Sequence, residues 1–162
     1  MNRRTLTTMA LLGLTIATAL PQVGFAQSSP LIGTWRLNLD RSKFSPGPPP
    51  RSGTLTYTQD GQNIRNTAQA IDAQGNAISG VLMHIYDGQP HPTTGVQTID
   101  ASAYTRLDAN TFIFSRSKVG KLVSTGNAVI SPDGKTLTIT TTGTNGNSVA
   151  VYEKQQVIER AR

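Results

Sequence analysis

Short runs of alternating polar and apolar residues, separated by turn-forming pairs, constrain the fold of this chain more than any other feature. The runs are rich in Thr, Val, Ile and Tyr, and no apolar pattern of helical period persists for three turns after residue 26. Short β-forming segments at regular spacing are typical of antiparallel sandwiches and barrels, so the sequence predicts an all-β fold. The turn signals are Asp60-Gly61, Gln74-Gly75, Asp87-Gly88, Asp108-Ala109-Asn110, Val119-Gly120, Pro132-Asp133-Gly134 and Asn145-Gly146.

The alternation also predicts which side chains point inward. Trp35, Leu37 and Leu39 share one face of the first segment, and Leu55 and Tyr57 share one face of the next. Because successive side chains of a strand point to opposite faces, one face of each strand packs inward and the other meets water. About eight to nine such strands, joined by tight turns, favour a single antiparallel up-and-down β-barrel, which leaves no sheet edge exposed.

The predicted inward rows mix large and small side chains, and this mixture is compatible with two kinds of barrel interior. Small barrels are either filled by side chains or hold one small ligand. If the interior holds a cavity, its wall would be mostly apolar with one titratable group, as in most ligand sites. The predicted cavity-lining residues are Trp35, Tyr57, Leu82, His84, Tyr86, Phe112 and Phe114.

Residues 1–26 have the three-part pattern of a secretory signal peptide. Arg3 and Arg4 supply a positive start, residues 9–20 are mostly apolar, and small residues surround a cleavage point near Ala26. The apolar run is too short to span the ~30 Å of a hydrocarbon core, which argues against a membrane anchor. We therefore expect an exported protein, either periplasmic or secreted.

The chain that follows cleavage has the length of one domain. We expect residues 27–154 to form the barrel domain and residues 155–162 to form a short C-terminal tail, with no membrane span in the mature chain. A domain of this size buries roughly two-thirds of its unfolded surface, so it needs no covalent crosslink. The sequence contains 0 Cys, so the exported protein uses no disulfide.

The charge pattern argues against nucleic acid as a partner. Of the 15 Lys and Arg residues, 13 remain after removal of Arg3 and Arg4; set against 9 Asp and Glu residues, they give a net charge of +4. The cations are scattered, and their densest group, residues 116–121, lies across the predicted Val119-Gly120 turn. A nucleic-acid-binding surface would cluster its cations on one face. The mild basic excess instead favours solubility and loose contact with anionic components of a cell envelope.

The segment Gly33-Thr34-Trp35 resembles the Gly-x-Trp signature of lipocalin-type, or calycin, barrels. In that family the Trp closes one end of the barrel, and the Gly lets the chain pass close beneath it. Longer segments, "GTWRLNLDRSKFSPGPPP", "YDGQPHPTTG", "SPDGKTLTITTTGT" and "VYEKQ", resemble short exported bacterial proteins described as lipocalin-like and of uncharacterised function. This resemblance implies the barrel fold and an envelope location, and it implies no particular activity or site.

The two histidines, His84 and His91, bracket the predicted Asp87-Gly88 turn. Two histidines without cysteine make a poor zinc site, so no metal site is predicted. An inward-facing His84 is either hydrogen-bonded in a core or bound to haem. The second possibility resembles the small nitrobindin-type barrels, which also begin near a Gly-Thr-Trp.

The sequence favours a non-enzymatic role. It contains no Gly-x-Ser-x-Gly elbow and no cysteine nucleophile. Asp60, Asp87, Asp108 and Asp133 all belong to predicted turns, which argues against a paired acid and base. No cofactor is predicted.

Three functional hypotheses therefore follow from the sequence. The first is an exported lipocalin-like barrel that binds a small apolar or amphipathic molecule in the cell envelope. The second is a non-enzymatic interaction module with a filled barrel, whose partner is an envelope component. The third is a small haem-binding barrel that uses His84. The interior of the barrel distinguishes them.

Overall fold

Ten strands form a closed antiparallel barrel in the computed structural model, which describes residues 29–156. Each strand pairs with its sequence neighbour, and the last strand pairs with the first to close the sheet. The strands are β1 (Gly33–Ser45), β2 (Ser52–Asp60), β3 (Asn63–Ile71), β4 (Ala77–His84), β5 (His91–Thr94), β6 (Ala101–Arg106), β7 (Thr111–Lys118), β8 (Lys121–Ile130), β9 (Thr136–Gly143) and β10 (Gly146–Lys154). The predicted all-β, up-and-down barrel is confirmed.

The predicted signal peptide, residues 1–26, and residues 157–162 of the predicted tail lie outside the described residues. Within the described range, the chain has no helix that is long and apolar enough to cross a bilayer.

The strand count is ten rather than the predicted eight to nine, and β5 is a strand that the sequence pattern does not predict. It spans four residues, includes Pro92, and pairs with each neighbour through two residue pairs. Proline removes a backbone donor and usually argues against a strand interior. All seven predicted turns lie between consecutive strands, as expected.

The predicted alternation holds on several strands, whereas adjacent residues are buried on β6 and β10 and the pattern breaks on β1. Phe112 and Phe114 are buried and the intervening Ile113 is exposed, as the pattern requires. Leu39, however, is 37% exposed and does not share the buried face of Leu37. The pairing of β1 with β10 shifts register just after Asn38, and such a bulge rotates the following side chains out of the alternating pattern.

One end of the barrel, where β1 begins, is closed by a packed core around Trp35. The ring is fully buried at 0% exposure, and its Nε1 donates a hydrogen bond of 2.8 Å to the backbone oxygen of Leu31. The Nζ atom of Lys154 lies 5.0 Å from the ring centroid and donates to the backbone oxygen of Pro30. Gly33 has a φ of 130° and faces the Lys154 side chain, so glycine suits the close entry of the chain.

Candidate functional site

A cavity of about 190 Å³ lies inside the barrel. It starts beside an aromatic cluster in the interior and extends toward the end where β1 stops and β10 starts. The sequence leaves the interior either filled or hollow, and the structure combines a packed end with this cavity. The lining residues are Phe44, Leu55, Tyr57, Asn66, Ala68, Leu82, His84, Tyr104, Phe114, Arg116, Ile139, Thr141, Ser148, Ala150 and Tyr152.

The register of the strands places the lining side chains next to one another. Tyr57 on β2 pairs with Asn66 on β3, which in turn pairs with Leu82 on β4. Near the opposite end of the cavity, Phe44 on β1 pairs with Ser148 on β10. Because side chains of a strand return to the same face every second residue, each strand contributes to the wall at alternate positions.

Arg116 supplies the charge of the cavity wall. It follows Phe114 by two residues on β7, so both side chains face inward, and its guanidinium carbon lies 4.4 Å from the Phe114 ring centroid. Its Nε is buried without a hydrogen-bond partner among residues 29–156. No Asp or Glu is among the residues that line the cavity in this part of the chain. A partly buried cation in a cavity wall without a counter-ion favours an anionic partner.

His84 lies at the inner end of the cavity and is 2% exposed. Its ring stacks on Tyr104 with the centroids 3.9 Å apart, and the edges of Tyr57 and Phe112 approach it at 5.3 and 5.2 Å. Burial, followed by the charges of nearby arginines, lowers the pKa of His84 to about 3. The imidazole is therefore neutral at physiological pH, and both ring nitrogens lack a partner within residues 29–156.

The tyrosine hydroxyls of the cavity wall are neutral as well. Burial raises the pKa of Tyr57 well above its usual value, and the neighbouring tyrosines reinforce this shift. Burial also raises the pKa of Tyr104 and Tyr152, although the charge of Arg116 opposes the increase in both cases. The wall thus combines one fixed positive charge with neutral polar groups, including Asn66, whose Oδ1 is buried without a partner in the described chain.

Four of the seven predicted cavity residues line the cavity, namely Tyr57, Leu82, His84 and Phe114. Trp35, Tyr86 and Phe112 are not part of its wall. Trp35 belongs to the closed end of the barrel, and the other two pack against the His84 ring at centroid distances of 6.0 and 5.2 Å. The structure thus places all seven in one core, where four line the cavity and three pack behind or beside it. A ligand-binding role for any of them remains a prediction.

Three prominent residues of the wall are not predicted by the sequence pattern. Arg116 is assigned to a basic turn, yet its two-residue spacing from Phe114 places it inside the barrel. Tyr104 lies on β6, where Ser102, Ala103 and Tyr104 are all buried, so alternation alone does not select the inward row. Tyr152 follows Val151 on β10. Both faces of that strand carry apolar groups, so the pattern does not show which of the two side chains points inward.

The predicted turn aspartates stay outside this site. The carboxylates of Asp87, Asp108 and Asp133 accept hydrogen bonds from backbone N–H groups two residues later in the chain. These bonds help to lower the pKa of each carboxyl, and all three residues are exposed. Asp87 also contacts His91 Nε2 at 2.9 Å, so the second histidine belongs to the surface of the barrel.

Comparisons with known proteins identify the fold. No protein-family model and no curated protein matches the sequence. Among solved structures, a Schistosoma mansoni fatty acid binding protein in complex with arachidonic acid is 12% identical with a TM-score of 0.54, covering 79% of this chain and 98% of that one. Fatty-acid-binding protein 1 of Echinococcus granulosus is 12% identical with a TM-score of 0.53, covering 78% of this chain and 98% of its own. The wild-type fluorescent protein UnaG is 13% identical with a TM-score of 0.51, covering 80% of this chain and 100% of its own. The chain therefore has a calycin-type barrel fold.

Proposed function

We propose that this barrel binds a small amphipathic molecule that carries an anionic group. The proposal rests on Arg116, whose buried and unpartnered Nε belongs to the one charged side chain that the described residues contribute to a cavity wall of mixed polar and apolar groups. The anion would lie beside this guanidinium, and the apolar part would contact Leu55, Leu82 and Phe114. The fatty-acid-binding proteins among the structural neighbours support small-molecule binding in such a barrel.

The cavity size limits the ligand. A dry cavity of ~150 Å³ in another protein accepts benzene, so a cavity of about 190 Å³ suits a molecule with one ring or a short chain. Small-molecule sites more commonly measure ~300–1,000 Å³. A longer chain would have to leave through the barrel end near Phe44 and Ser148. We therefore expect compact aromatic or short-chain acids to bind better than long-chain acids.

Titration with a matched pair of probes tests this function. Benzoate and benzamide have nearly the same shape and differ in charge, so calorimetric titration of both isolates the contribution of the anion. A hydrogen bond to a charged group contributes ~1.5–3 kcal/mol, which corresponds to a preference for benzoate of roughly tenfold to a hundredfold. Arg116→Met should remove this preference and leave benzamide binding unchanged.

The control is Arg106→Met, because Arg106 lies over the Tyr86 ring at 4.2 Å and is not part of the cavity wall. It should retain the preference for benzoate. Equal affinities of the wild-type protein for the two probes, or equal losses in both arginine variants, would contradict the proposal. A thermal melt of each variant shows whether it is folded.

The haem hypothesis is less well supported. A porphyrin is much larger than a ring-sized cavity of about 190 Å³, and one face of the His84 ring is covered by Tyr104. The residues present therefore do not fit haem without displacement of the aromatic cluster. The filled-barrel hypothesis is also disfavoured, because it requires a packed interior throughout, whereas the barrel contains a cavity of about 190 Å³.

We further propose that the protein is exported to the cell envelope, on the basis of the signal-peptide pattern in residues 1–26. Intact-mass measurement of the protein recovered from the periplasmic or secreted fraction tests this proposal. The expected mass is that of a chain beginning near Gln27. Recovery of the full-length chain from the cytoplasmic fraction alone would contradict it.

A further inference from the structure

The turn between β7 and β8 is unusual for one that is exposed to water. It consists of Val119 and Gly120, and Val119 has a φ of 49° with 81% of its surface exposed. A two-residue hairpin with positive φ at both positions normally uses Asn-Gly or Asp-Gly. A β-branched residue in this conformation is strained, and its exposed side chain gains nothing from packing in the protein. The strained and exposed Val119 therefore favours a contact outside the barrel.

A second exposed apolar side chain lies next to this turn. The pairing of β7 with β8 shifts after Arg116, so that Ser117 pairs with Leu122 and Val123 is left as an extra, bulged residue. Val123 packs against the core, whereas Leu122 is 61% exposed. The bulge thus turns a large apolar side chain outward beside Val119.

The turn is held in place by hydrogen bonds and is flanked by positive charge. The N–H of Val119 donates to Asp100 at 2.8 Å, and the N–H of Thr144 donates to the backbone oxygen of Val123 at 3.0 Å. Lys118 and Lys121 flank the turn, and both are exposed. Neither lysine takes part in an ion pair with another residue of the described chain. Two apolar groups held in place beside two cations that lack ion pairs in the described chain match the chemistry of an anionic lipid surface.

We propose that the β7–β8 hairpin tip, defined as residues 118–122, docks on bilayers that contain anionic lipids. A protein partner fits less well, because a stable protein interface takes roughly 20–30 residues a side and the tip offers five. Val119 and Leu122 would enter the headgroup region while Lys118 and Lys121 contact lipid phosphates. This docking does not depend on the proposed cavity ligand. It would bring the cavity end that contains Arg116 toward the membrane, since this residue lies two positions before Lys118 on the same strand.

Flotation of the chain without residues 1–26 on lipid vesicles tests the docking. The protein should float with vesicles of phosphatidylcholine and phosphatidylglycerol and remain unbound with phosphatidylcholine alone. Each lysine near an anionic surface contributes about fivefold in affinity, so Lys118→Gln with Lys121→Gln should weaken binding by about 25-fold. Val119→Asn with Leu122→Ser should weaken it at least tenfold.

The apolar variant also separates docking from folding, because Asn tolerates the positive φ at position 119 better than Val does. Val119→Asn should therefore melt at the same or a higher temperature while it binds vesicles less. Matched controls are Lys135→Gln, at the β8–β9 turn on the other end of the barrel, and Val129→Thr, which is exposed on the barrel wall. Both should float as the unmodified protein does. Equal binding to neutral and anionic vesicles, no binding to either, or full binding by the tip variants would overturn the proposal.

Discussion

Burial of His84 among aromatic rings predicts a pH dependence of stability that one substitution should remove. The unfolded chain protonates this imidazole near its ordinary pKa of 6.5, whereas the folded protein does so only near a pKa of about 3. The unfolded state therefore binds the extra proton first, and the free energy of unfolding falls as the pH decreases below about 6.5. This loss of stability stops once the pH falls to the pKa of His84 in the folded protein.

The size of the effect follows from the two pKa values. One pH unit inside this window is equivalent to about 1.4 kcal/mol, so lowering the pH from about 7.5 to about 5 should cost about 2 kcal/mol. The turn carboxyls of Asp87, Asp108 and Asp133 have a lowered pKa and stay ionised in this range. Urea unfolding followed by circular dichroism at several pH values measures the slope.

His84→Phe keeps a ring in contact with Tyr104 and removes the titrating group, so its stability should be nearly flat over the same range. His91→Gln serves as the control because His91 lies at the surface beside Asp87. This variant should keep the slope of the unmodified protein. Parallel curves for the unmodified protein and His84→Phe would contradict this role of His84, as would direct observation by NMR that His84 protonates near pH 6.5.

Three further predictions concern the packing of the barrel. Trp35→Ala removes a fully buried ring and should cost roughly 3–5 kcal/mol, which denaturant unfolding would report as a lower midpoint at a similar m-value; an unchanged midpoint would contradict the closed end described above. Leu82→Trp should fill the cavity and abolish uptake of a fluorescent apolar probe without unfolding the barrel, and continued uptake would place the probe elsewhere. Gly126→Ala would press a methyl group against the Thr140 carbonyl oxygen and the Phe114 ring, so we expect a loss of about 1–3 kcal/mol in thermal or chemical unfolding.

The barrel was predictable from the sequence because its signals are local. Turn residues such as Asp60-Gly61 and the two-residue alternation of Phe112 and Phe114 depend only on neighbouring positions. The exposure of Leu39 was not predictable in this way, since a bulge depends on how β1 pairs with β10, more than one hundred residues later in the chain.

The candidate site was only partly predictable. Leu82 and His84 follow from alternation on one strand, but the inward direction of Arg116 competes with its position beside Lys118 in a basic segment. Whether large residues fill a barrel or leave a cavity depends on the summed volumes of side chains from many strands. No pattern within one strand contains that information, so the cavity became visible only in the assembled barrel.

A crystal structure of the protein soaked with 4-bromobenzoate is the most direct test of an anion site beside Arg116. We expect bromine anomalous signal inside the barrel near Leu82 and His84, with the carboxylate at hydrogen-bond distance, about 3 Å, from the Arg116 guanidinium. Bromine signal only on the outer surface, or a ligand inside the barrel whose carboxylate points away from Arg116, would contradict it.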